Sequence, residues 1–353
     1  MIRFSLNEIG NLNILFDKAL LLRLEDVYCN YKLFLTKLAS KGIINQEKNK
    51  AAFLFREPCV STLLHLTEGA ISRPDATDLI RRINANRLDD PLHSRNMIAV
   101  RQDAIYLPKD EKGKNQFQPL DLTDNEIGEL IAEFEVLKDI FGLDWSEFMS
   151  PVNVMTIISV PGYDDLPYFS GSGSDIFGAI HLARPATQAS YAEMLTHEAA
   201  HHWCHLIEDL GMLSEECWSG DVWPSPWRNE PRPLGGVIHG SFVFAAAAVT
   251  LCSLKIQYDR EENKESKIVE TRIAYLLAQV EEGIRICIDS GLIAQNGQML
   301  INSASEALQY VYPHITIRVL ESARELLTRR MKAKFNLWRD QNITFNADKS
   351  VIK

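Results

Sequence analysis

Apolar residues recur along this chain mostly at the three-and-four spacing of a helix, with a few short runs that read as strands instead. Residues 14–40 carry Leu15, Phe16, Ala19, Leu22, Tyr28, Tyr31 and Leu35 near that period, and 60–71 and 75–87 read as shorter helices on either side of Ser72-Arg73-Pro74. Met97 to Leu107 suits a strand, and the Lys-rich stretch Pro108 to Pro119 reads as a solvated connection. Thr123-Asp124-Asn125-Glu126 has the form of a capping box and opens a helix expected to end near Phe141. Val152 to Val160 and Phe177 to Ala183 read as strands, the second ended by Pro185, with Ser170 to Ser174 as a flexible tip between them. A helix follows, with Ser190 as its cap, Glu193 as the partner of that cap, Leu195, Ala199, Ala200, Trp203 and Leu206 as its apolar stripe, and Gly211 as its stop. Beyond it, 212–236 reads as an ordered irregular loop and Gly240 to Ile256 as a fully buried helix. Residues 266–289 and 302–336 read as long amphipathic helices, the last interrupted by Pro313. The sum is a mainly α protein with a small β-sheet, of the α+β class.

With 353 residues, 46% of them hydrophobic, the chain can bury a large core. The charged loop before Pro119 is the best boundary, giving a mostly helical N-terminal region over 1–120, a candidate for substrate recognition, and a second region over 121–353. A net charge of −10 without a basic stripe argues against nucleic acid as a partner. No apolar run is expected to reach membrane-spanning length, and the first residues lack the apolar core of a signal peptide. The six cysteines are scattered without a CxxC pair, which suits buried thiols and a reducing cytoplasm. Nothing in the pattern speaks to oligomeric state.

Candidate chemistry centres on His197-Glu198-Ala199-Ala200-His201. Histidines four apart lie on one helical face, so two imidazoles can converge on one metal ion, and Glu198 falls beside that face where it can meet a metal-bound water. Three fixed letters are unspecific alone, and an amphipathic helix with surface histidines gives the same pattern. His202 and His205 read as structural neighbours. A metal needs a third protein ligand. The candidates downstream are Glu208, Glu215, Glu216, Asp221, Glu230 and His239, and His239 is favoured because it sits among glycines at the expected mouth of the buried helix. A second informative stretch runs from Trp223 to Pro233. There Arg228 and Arg232 are stiffened by prolines and tryptophans, which suits recognition of a carboxylate and equally an ion pair with Glu230 or Asp221.

The strand set just before this helix is similar to the arrangement in zincin-like metal enzymes. The order of His197-Glu198-Ala199-Ala200-His201, Ser225-Pro226-Trp227-Arg228, Arg232-Pro233-Leu234-Gly235-Gly236 and His239-Gly240, with Phe242 and Phe244 after them, resembles the HExxH-motif proteins that modify ribosomally made peptides. The likeness covers about residues 175–250. It implies an iron(II)- and 2-oxoglutarate-dependent hydroxylase that uses O2 on a side-chain β-carbon of a precursor peptide. It implies His197, His201 and His239 as iron ligands, Arg232 or Arg228 as the clamp on the far carboxylate of 2-oxoglutarate, and Glu198 as an orienting group. The alternative is a zinc peptidase in which Glu198 activates water and Glu216 or His239 completes the zinc site. A noncatalytic peptide-binding scaffold is a third reading, weakened by the intact His/Glu/His set.

Overall fold

The computed structural model describes residues 98–100, 117–149, 151–152, 154–159, 169–173, 178–215 and 222–340. The helices expected at 14–40, 60–71 and 75–87, and most of the region 1–120, lie outside the described residues. The described residues divide into two units: 98–139 with Ser146–Leu206, and Ile140–Trp145 with 207–340. The mainly α chain with a small sheet is as the pattern indicates.

The first unit holds the sheet. Strands β1 (Ala99–Val100), β3 (Val154–Ser159), β5 (Ala179–Ala183) and β4 (Ser170–Ser172) lie in the order β1-β3-β5-β4, and β2 (Gln118–Pro119) pairs antiparallel with the far end of β3. The β3 and β5 strands run parallel, with Thr156 opposite His181, and every residue of β5 is buried. That accounts for runs of apolar residues rather than alternation. The segment from Ser170, expected to be a flexible tip, is instead the antiparallel neighbour of β5, with Gly171 opposite His181. A Cβ on Gly171 would fall 2.3 Å from the His181 ring, so only glycine lets that ring lie across the strand. Burial pulls the His181 pKa down to about 4.

Two helices belong to this sheet. The first, α1 (Asp124–Phe148), opens with the expected capping box, the Thr123 and Glu126 side chains each accepting the other's backbone N–H. Its first segment ends at Phe141, as expected. Gly142 takes φ +78° and ψ −165°, breaking the helix, and the chain resumes helical winding beyond it. The second, α2 (Gln188–Leu210), is capped one turn earlier than expected. Thr187 is its N-cap and Ser190 the return partner, with Ser190 N–H donating to Thr187 Oγ1 at 3.1 Å and Thr187 N–H to Ser190 Oγ at 3.0 Å. The Tyr191 hydroxyl reaches the Leu130 carbonyl at 3.3 Å, and the Trp203 indole donates to the Phe148 carbonyl at 2.8 Å, so α2 is tied to both parts of α1.

The second unit is helical. Its centre is α3 (Leu234–Arg260), which begins well before Gly240 and is buried along most of its length. Contrary to the expectation from apolar runs, α3 is long and apolar enough to cross a membrane, yet 89% of its most apolar window is buried inside the fold, as a core helix is. Each fully buried Phe242, Leu251 or Leu254 contributes about 1.5–3 kcal/mol of burial. Against it pack α4 (Ser266–Ser290) and α5 (Gln295–Val311), while α6 (Ile317–Asp340) packs on α4, with a short turn of 3-10 helix at Tyr312–His314. Pro313 therefore separates two helices, and the first of them starts at Gln295, ahead of residue 302. The Asn296 amide donates to the carbonyls of Ile207 and Gly211 at 3.3 and 3.0 Å, closing the end of α2.

Candidate metal centre

Helical geometry brings the two motif histidines together as their spacing requires. His201 Nε2 lies 3.1 Å from His197 Nε2, with the rings at 76° and their centroids 4.8 Å apart. Two nitrogens at that separation can share one ion at about 2.0–2.1 Å from each. Ligand atoms of His197, Glu198 and His201 all lie within 4.8 Å of one another. Both histidines are half-buried, which leaves the pair open to an incoming ion, while Glu198 is 1% exposed.

A buried carboxylate needs hydrogen bonds to replace water. Glu198 receives two from β4: Ser170 Oγ donates to Oε1 and Ser172 Oγ to Oε2, each at 2.6 Å. Oε1 is also 4.0 Å from His197 Nε2. The alternation of a strand makes this grip possible, because residues two apart share a face: Ser170 and Ser172 face Glu198 while Gly171 accommodates His181. Sequence reasoning missed both serines. The signal was polar residues at i and i+2 beside an apolar strand, masked by a Ser/Gly composition that resembles a linker.

The neighbouring histidines differ in setting. His202 is fully buried, and burial together with the nearby His205 pulls its pKa down to about 3, against a backbone hydrogen bond with Ala179. A neutral, enclosed ring fits the structural role expected of it.

The remaining candidates belong to the second unit. His239 lies in the second turn of α3 rather than at its mouth, since the helix starts at Leu234 after Pro233. Its Nδ1 is 3.5 Å from Glu208 Oε1. The glycine beside it admits a side chain, not another backbone: a Cβ on Gly240 would lie 2.2 Å from the Trp227 ring. Glu215 donates its N–H to the Leu292 carbonyl, and Glu216 and Asp221 lie outside the described residues.

The arginine segment is held from several sides. Trp223 and Arg232 exchange backbone hydrogen bonds at 2.7 and 2.9 Å, forming a short antiparallel bridge. Trp227 fits a notch formed by Gly240 and Gly283 and packs on Phe244 with ring centroids 5.2 Å apart. Gln279 donates to the Pro226 carbonyl at 3.0 Å, and the Lys334 ammonium, 6% exposed as a residue, donates to the carbonyls of Ser225 and Arg228. Lys334 and Gln279 carry no distinguishing sequence pattern, and only the fold identifies them. Arg228 is exposed and Arg232 half-buried. Burial lowers the Arg232 pKa, the Arg228 charge lowers it further, and Glu230 acts the other way.

No model of a known protein family matches the chain, and no curated protein matches it either.

Proposed function

We propose that this protein is an iron(II)- and 2-oxoglutarate-dependent hydroxylase acting on a side-chain β-carbon of a ribosomally made precursor peptide. The observation that carries the reading is the pair of imidazole nitrogens 3.1 Å apart beside a carboxylate already engaged by two serine hydroxyls. Imidazole suits iron(II) as well as zinc. A hydrolase would need Glu198 to hold and deprotonate water, whereas each Glu198 oxygen here already accepts a serine hydroxyl. The arginine segment supports the same reading, since hydrolysis of a peptide bond does not require a pair of arginines on a backbone held from several sides. His239 is carried as the third ligand by the order of the motifs, and Arg232, the less exposed arginine, is the preferred clamp for the far carboxylate of 2-oxoglutarate, with Arg228 beside it. Bound iron and 2-oxoglutarate would together supply the oxidising power for hydroxylation by O2. The chain's own residues hold the metal, neutralise the cosubstrate and keep Glu198 in place.

The test is cosubstrate binding. Anaerobic titration of the iron(II)-loaded chain with 2-oxoglutarate is expected to give a visible absorption that needs protein, iron and 2-oxoglutarate together. Arg232→Ala should weaken the titration about 10- to 100-fold, as expected for loss of a hydrogen bond to a charged group worth about 1.5–3 kcal/mol. No such absorption, or unchanged affinity in both Arg232→Ala and Arg228→Ala, contradicts the proposal. Zinc uptake with cleavage of peptides and indifference to 2-oxoglutarate would establish the peptidase reading instead.

A further inference from the structure

We infer that Ser170 and Ser172 are positioning residues of the metal centre, which hold Glu198 out of the coordination sphere and keep the set of ligands to histidine nitrogens. The inference rests on the reading of His197 and His201 as metal ligands. Glu198 is within reach of the same ion, because its oxygen and the two histidine nitrogens fall within 4.8 Å of one another. Carboxylate is a good ligand for iron(II) and for zinc, so something must decide whether it binds.

The distances indicate what decides. An oxygen sharing an ion with His197 Nε2, each about 2.1 Å from it, would stand about 3.0–3.4 Å from that nitrogen in octahedral or tetrahedral geometry. Glu198 Oε1 stands at 4.0 Å. A shift of the oxygen by about 0.6–1 Å toward the ion and away from Ser170 would stretch its 2.6 Å serine bond beyond the range of about 2.5–3.0 Å for an O–H···O contact. Both oxygens are restrained in this way, so turning the carboxylate to offer Oε2 breaks the other bond. Charge-assisted bonds of this kind are about twice as strong as neutral ones. The strand bearing the serines is itself fixed by pairing with β5 through Leu182, His181 and Ile180, and Gly171 allows it to lie close against the His181 ring. A strand of three residues thereby sets the chemistry of a helix 26 and 28 residues further along the chain.

The probe is cobalt(II), whose visible spectrum reports the number and type of ligands, added to the full chain. Ser170→Ala/Ser172→Ala removes both serine bonds from the carboxylate and is expected to shift the cobalt spectrum toward higher coordination and to tighten cobalt binding several-fold by chelator competition. Each single alanine variant, which keeps one serine bond and folds more readily, is expected to give part of that shift. Ser170→Thr/Ser172→Thr, which keeps both hydroxyls, should restore the parent spectrum. Alanine variants with the parent spectrum and affinity overturn the inference while leaving the metal reading intact. A parent chain that takes up no cobalt, iron or zinc overturns both.

Discussion

At the scale of single residues, the molecule's chemistry depends on close contacts that the residue types alone do not disclose. Trp227 is the clearest case. Its ring occupies space that a side chain on Gly240 or Gly283 would need, and the turn bearing Arg228 is built on that ring. Gly283→Ala separates two opposed effects. Alanine gains about 0.8–1.0 kcal/mol over glycine in a helix interior. Here its Cβ would lie 2.5 Å from Ser241 Oγ and 2.7 Å from the Trp227 ring, and overpacking of a filled core costs about 1–3 kcal/mol. A rigid ring on one side places the cost toward the upper end, so the variant should lose about 1–2 kcal/mol net in urea unfolding and bind 2-oxoglutarate more weakly. A stabilised Gly283→Ala would show that the notch is not close-packed.

At the scale of elements, caps and breaks explain where the sequence pattern succeeded and where it failed. The Thr123–Glu126 box was legible because both partners are named by spacing, and the structure adds Arg184, whose guanidinium donates to Glu126 at 2.7 Å. The Thr123 backbone N–H and hydroxyl, then Arg184, hold the Glu126 pKa at about 2 against an ordinary 4.5. A depressed carboxyl stabilises the folded chain fully above its ordinary value and loses that contribution as pH falls through its folded value. Glu126→Gln should therefore unfold at lower denaturant than the parent at pH 7, and the gap should close between about pH 4.5 and 2. A gap of constant size would assign the effect to packing rather than charge. The start of α2 lies one turn before the Ser190–Glu193 spacing, which also fits a capping box, because Thr187 and Ser190 exchange the capping hydrogen bonds. For β4, the short polar Ser-Gly-Ser segment carries no apolar signal, since its partner on one face is a carboxylate and on the other a histidine ring.

At the scale of the whole molecule, the class of fold was legible because long helices with a wide apolar face leave a strong periodic trace, and α3 leaves an unbroken one. The candidate site was legible in part. The His197 and His201 pairing follows from helical spacing alone, while the grip on Glu198 and the support of the arginine turn come from partners 26 to 109 residues away in the chain, which no local pattern encodes. His197 and His201 are proposed to serve iron and 2-oxoglutarate rather than zinc and water. The most direct measurement is conversion of 2-oxoglutarate to succinate by the full chain, loaded anaerobically with iron(II) and then exposed to O2 with ascorbate as the two-electron donor that stands in for the peptide C–H bond. Iron-dependent succinate formation is expected, absent with zinc and absent in His197→Ala. Intact 2-oxoglutarate in the iron-loaded chain, with peptide-bond cleavage by the zinc-loaded one, would contradict the account.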